Sequence, residues 1–136
     1  MSVRPLAEGL LKMSDGAPKL LGGRRKDDGR FVFPAPQGAM ADLYDVVELA
    51  SEGTLWSFTV QRFRPKSPYA GPGDETSFKP YAVGYVELPG QIIVESLLMT
   101  DDFDALRIGQ PMRLAVAPFR TEPDGTGVVT YAFEPT

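Results

Sequence analysis

The stretch from Gly53 to Pro89 limits the fold of this chain more than any other. It begins G-T-L-W-S-F-T-V-Q-R-F, passes through a Pro/Gly-rich excursion, and resumes as Y-A-V-G-Y-V-E-L-P. β-Branched and aromatic residues dominate the first run, which predicts a strand over 54–63. Regular alternation would place Thr54, Trp56, Phe58, Val60 and Arg62 on one face, and Leu55, Ser57, Thr59, Gln61 and Phe63 on the other. On that pattern Trp56 and Phe58 are expected to pack in the core. A second strand over 81–88 stops at Pro89-Gly90, and a third over 91–99 starts directly after that turn. Thr100 is placed to cap a short helix with acidic residues in its first turn. Strands over 112–119 and 128–133, joined by a turn at 122–127, complete the set. Five strands with a helix between the third and fourth is the element order of an OB-fold barrel. The expected class is therefore mainly β.

Upstream, Pro5 suits a first helical turn, and Leu6, Leu10 and Met13 recur at helical spacing. A helix over 3–13 is expected, closed by S-D-G-A-P. Asp28-Gly29 then sits between two short extended runs, which predicts a hairpin pairing 19–25 with 30–33. Pro34 and Pro36 stop its second strand. A strand is expected over 42–49. Two units follow from this division: 1–50 as helix and hairpin, and 51–136 as the barrel.

The chain has 136 residues, with no cysteine and no histidine. It therefore holds no disulfide, thiolate metal site, serine triad or histidine base of its own. The formal charge of −4 argues against a general nucleic-acid binder. No apolar stretch approaches the length of about 20 residues that spans a bilayer. A cytoplasmic location and no membrane partner are the expectation.

Four segments in order resemble a known family: L-L-G-G-R-R-K-D-D-G-R-F-V-F-P, E-G-T-L-W-S-F-T-V, K-P-Y-A-V-G-Y-V-E-L-P-G and I-G-Q-P-M-R-L. The chain resembles domain-of-unknown-function family 35, the acyl-CoA-associated proteins built from an N-terminal helix, a rubredoxin-like zinc ribbon and an OB-fold. The ribbon of that family carries two C-x-x-C pairs. Here Arg25 and Asp28 stand at the first pair and residues 35–40 contain no cysteine, so a degenerate, metal-free ribbon is implied. An Arg25–Asp28 ion pair could substitute locally, though an exposed pair is worth only about 0–1 kcal/mol. The resemblance implies a non-catalytic accessory subunit of a thiolase-like, aldolase or MaoC-type hydratase enzyme acting on CoA thioesters of lipid or aromatic acids. It also implies no cofactor of the chain's own, but contact with a coenzyme A thioester. The alternative is an OB-fold module for single-stranded nucleic acid.

Arg62, Arg64 and Lys66 alternate at the end of the first barrel strand, with Lys79 across the excursion. They are candidates for coenzyme A phosphates or the partner, against the simpler reading of a solvated strand edge. Tyr69 and Phe78 in the loop 65–78 are candidates for contact with ligand or partner, or anchors for the loop itself. Phe31 and Phe33 of the hairpin form either a docking patch or part of the core. Asp101, Asp102 and Asp104 fit a capped, acidic helix start better than a metal site, and no metal is expected.

Overall fold

A computed structural model describes residues 3–7, 9–13, 17–62 and 79–136. Its strands in chain order are β1 (Val3–Pro5), β2 (Leu11–Lys12), β3 (Lys19–Arg25), β4 (Phe31–Val32), β5 (Tyr44–Glu48), β6 (Glu52–Gln61), β7 (Tyr81–Leu88), β8 (Ile92–Leu98), β9 (Pro111–Thr121) and β10 (Gly127–Pro135). Strands β6, β7 and β8 form an antiparallel meander, with Val60 opposite Ala82 and Val86 opposite Val94. Strand β9 pairs with β10 along its length and returns to β6, where Gly53 faces Met112. Strand β8 meets β10 in parallel at Leu98 and Phe133, and the Met99 N–H donates to the Phe133 carbonyl at 2.8 Å. The ring closes in the order β6-β7-β8-β10-β9, the five-stranded OB topology that the element order predicts.

Alternation fills the barrel. Ala82, Gly84, Val86 and Leu88 of β7 and Val94, Ser96 and Leu98 of β8 are buried. Phe133, Leu55 and Met112 complete the interior at 1% exposure or less. At Gly53 a Cβ would stand 2.3 Å from the Glu87 carbonyl oxygen. That position, where β6 lies between β7 and β9, accepts no side chain without moving backbone.

Strand β6 carries an irregularity that strict alternation does not anticipate. Leu55 faces Val86, but the next partners are Ser57 and Tyr85. Trp56 is the extra residue of a β-bulge, and it turns outward. It is 55% exposed, so the expectation that it packs in the core is corrected. Leu55 takes the buried place, and Phe58 is half-buried against the core.

The helix expected over 3–13 is not formed. Val3–Pro5 pairs in parallel with Gly127–Val129 of β10, and Leu11–Lys12 pairs with β3. The reason is local and tertiary together. A helix of three turns is marginal alone, and Gly9 sits at φ +75, which ends any helix there. The part of β10 beyond its contact with β8 offers open backbone groups to β1, and the Leu6 N–H goes on to donate to the Val129 carbonyl at 2.8 Å. The 42–49 strand begins only at Tyr44, because Gly38–Leu43 forms a 3-10 helix. The helix expected after Thr100 is a single 3-10 turn, Phe103–Ala105, and Thr100 Oγ1 accepts from the Asp102 N–H at 3.1 Å.

The hairpin forms as expected. Gly23 and Arg24 face Val32 and Phe31, and Gly29 turns the chain at φ +73. Strand β5 lies along the other edge of β3. Arg25 Nε pairs with Asp27 Oδ1 at 2.9 Å rather than with Asp28, whose carboxylate accepts the Arg30 backbone N–H. Leu10, Leu11, Leu20 and Leu49 belong to one continuous core with the barrel residues. Among the described residues no helix is long and apolar enough to cross a membrane.

Candidate functional site

The outer side of β6, β7 and β8 is built from side chains that strand alternation points away from the core. Cross-strand register sets Val83 opposite Leu97, Tyr85 opposite Glu95, and Glu87 opposite Ile93. The bulge adds Trp56, whose ring meets Tyr85 edge-on with centroids 6.2 Å apart. Tyr85, Ile93, Leu97 and Met99 are each 37–42% exposed. An antiparallel sheet with one face on water ordinarily alternates apolar inside with polar outside. Here both faces are apolar. Exposed apolar side chains grouped in this way are a general feature of interaction surfaces.

Its charge is one-sided. Strands β7 and β8 contain Glu87 and Glu95 and no lysine or arginine. The Tyr85 hydroxyl hydrogen-bonds the Glu95 carboxylate, and that bond, then the negative charge itself, raises the tyrosine above its ordinary value. Tyr131 Oη donates to the Glu95 carbonyl at 2.8 Å. Burial first, and the charge of Glu95 second, raise Tyr131 as well. Phenols held neutral beside a carboxylate leave a face of aromatic, aliphatic and acidic groups.

Of the cations proposed from sequence, Arg62 and Lys79 are described. They stand just beyond the Gln61–Tyr81 pair that ends the β6–β7 hairpin, so the fold brings them to one end of it. Both are exposed, and the Arg62 guanidinium lies 5.7 Å from the Phe103 ring centroid. Arg64, Lys66, Tyr69 and Phe78 lie outside the described residues. Phe31 and Phe33 are half-buried and pack against the core, Phe33 edge-on to Tyr131 at 5.1 Å. Among the described residues no cluster of three potential metal ligands occurs, the Asp101–Asp104 segment included.

Sequence reasoning missed the outer face. Its signal was present in I-I-V-E-S-L-L-M, where apolar residues occupy both parities of the strand. Only the bulge at Trp56 lacked a sequence sign.

With this geometry in place, comparison with known proteins locates the chain. The family model described as ChsH2, C-terminal OB-fold domain, matches residues 46–117. A solved structure, the Ltp2-ChsH2(DUF35) aldolase, superposes with a TM-score of 0.58 at 23% identity, covering 86% of this chain and 84% of that one. Its likeness bears on the fold. No curated protein sequence matches the chain.

Proposed function

The chain belongs to the ChsH2 C-terminal OB-fold (DUF35) family, and from that premise we propose that it is a non-catalytic accessory subunit of a thiolase-superfamily or MaoC-type enzyme. It docks on that enzyme and helps to shape the site that takes an acyl-CoA. The observation that carries the proposal is the outer face of β6–β8: Trp56, Tyr85, Ile93, Leu97 and Met99 on a barrel whose own core is already filled. Burying such a face gains about 25 cal/mol per Å² of apolar area. Trp and Tyr are also the residues that most often dominate binding energy at interfaces.

The sequence chemistry supports the same division of labour. A thiolase-type reaction needs a nucleophilic thiol and a base, and this chain has no cysteine and no histidine. The Ltp2-ChsH2(DUF35) aldolase names a DUF35 protein within an aldolase, and partnership of that kind is what the proposal carries over. Arg62 and Lys79, at one end of the β6–β7 hairpin, are the described cations offered to coenzyme A phosphates. The nucleic-acid alternative is the weaker one. Single-stranded nucleic acid takes a basic groove lined with aromatic rings, whereas the aromatic face here carries Glu87 and Glu95.

The test is co-expression with a thiolase-like or MaoC-type enzyme encoded beside this chain, followed by size-exclusion chromatography and an acyl-CoA activity assay. Co-elution with a change in activity is expected. Separate elution with unchanged activity would sink the proposal.

A further inference from the structure

The hairpin turn and the barrel meet around an open cavity of about 510 Å³, lined by Arg25, Gly29, Arg30, Phe31, Val32, Tyr44, Gly90 and Gln91. None of these residues belongs to the outer face of β6–β8. The wall holds two guanidinium groups, two aromatic rings and no carboxylate. The geometry points to a site for a nucleoside phosphate, whose phosphate is carried on a sugar that also bears a planar base.

Three features carry this assignment. The first is unused donor capacity. Arg25 spends its Nε on Asp27 Oδ1 at 2.9 Å, which leaves its two terminal nitrogens for another acceptor. The Arg30 side chain and the Tyr44 hydroxyl have no hydrogen-bonding or ionic partner among the described residues. A guanidinium presents its donors as a rigid fork that matches phosphate.

The second is a third guanidinium. Arg24 also lies at this turn, its Nη2 3.3 Å from the place a Cβ on Gly29 would take and its Cζ 5.8 Å from the Phe31 ring centroid. Gly29 leaves that room because it has no side chain. The turn also carries Asp27, paired with Arg25, and Asp28, which accepts the Arg30 N–H, so the fixed placement of the guanidinium donors, rather than repulsion among them, is what suits an anion. The third is the aromatic wall. Phe31 and Tyr44 line the same cavity as the cations, so the planar base of a nucleoside phosphate has surfaces to pack on. Gln91 is held for this geometry, since its Oε1 accepts the Ala50 N–H at 2.8 Å and so fixes the barrel turn beneath the hairpin.

The assignment stands apart from the docking proposal, and its test uses the full chain without any enzyme partner. Isothermal titration with ADP, ribose 5-phosphate, inorganic pyrophosphate and adenosine separates the contributions. ADP is expected to bind more tightly than ribose 5-phosphate or pyrophosphate, with adenosine weakest. Added salt should weaken every phosphate-bearing probe. Arg30→Ala and Arg25→Ala should each reduce ADP affinity about tenfold, the loss of one charge-assisted contact. Arg30→Lys should recover only part of it, because the fork is lost. Thermal melts of the variants identify any that fail to fold, and Arg120→Ala, at an exposed position of β9 outside this cavity, should leave ADP affinity unchanged. Absence of ADP binding at millimolar concentration overturns the assignment, as does binding indifferent to both arginine substitutions or adenosine binding as tightly as ADP. None of these results bears on co-elution with an enzyme through Trp56 and Leu97, so the two proposals fail separately.

Discussion

The two sides of the β7–β8 hairpin are made of the same kind of residue and serve different ends. Val86, Leu88, Val94 and Leu98 point inward and are buried at 3% exposure or less. Tyr85, Ile93 and Leu97 point outward from the same backbone, each one residue away from Val86, Val94 or Leu98. Folding explains the first set, because burial of each such side chain gains about 1.5–3 kcal/mol. It does not explain the second, which stays in water after the barrel has closed. The difference teaches that hydrophobicity in a strand is evidence for a core only after the register has said which way each residue faces. The unexplained set is the part that needs another molecule.

Neighbouring residues give the sharpest contrast. Leu98→Ala should cost about 2–5 kcal/mol in chemical denaturation, because it leaves a cavity against Ala82 and Phe133. Leu97→Ala should stay within about 0.5 kcal/mol of the parent. Equal losses at the two positions would break the comparison. In binding the order reverses. Trp56→Glu combined with Leu97→Glu should abolish co-elution with the enzyme partner, a loss of about 2 kcal/mol or more at hot-spot residues, while the melting temperature holds. Retained co-elution would remove the outer face from the interface.

A smaller effect tests how tightly the sheet itself is built. Gly53→Ala should destabilise by about 1–3 kcal/mol, because its Cβ meets backbone rather than a movable side chain. Equilibrium unfolding reads it directly. The smallest expected effect concerns protons. Tyr85 is raised above its ordinary value by Glu95, so its favourable interaction is complete below the unfolded tyrosine pKa and fades as pH rises through the folded one. Spectrophotometric titration of Glu95→Gln should show a tyrosine ionising at lower pH than in the parent. An unchanged titration would mean that the two groups do not interact in solution.

Much of the barrel was legible in the sequence because its strands are long, alternating and bounded by turn residues. Strand β7 coincides with the predicted 81–88, and β3 with the predicted 19–25. The misses share a cause. Residues 3–13 show helical spacing in Leu6, Leu10 and Met13, but the free backbone of β10 and the left-handed Gly9 outweigh it. Trp56 was placed inside because alternation counts residues, and a bulge adds one to the count without a local mark. The cavity at Arg25 and Arg30 depends on the β7–β8 turn arriving beneath the hairpin, a meeting of Gly90 with Arg30 that no local pattern encodes. Arg62 and Lys79 follow and precede the paired Gln61 and Tyr81, a placement that any β6–β7 hairpin gives them.

The parallel pairing of β1 with β10 also has a consequence for how the molecule is made. Val3 finds its partner at Gly127, so on the ribosome this strand leaves the exit tunnel long before the strand it will join has been translated. Chains grow at about 5–20 residues per second, and β1 therefore waits several seconds without its backbone partners. The barrel's last strand is in this sense the template for one of its first. A nascent chain stalled before residue 127 should leave residues 3–5 open to proteolysis, and emergence of β10 from the tunnel should close that window in a single step.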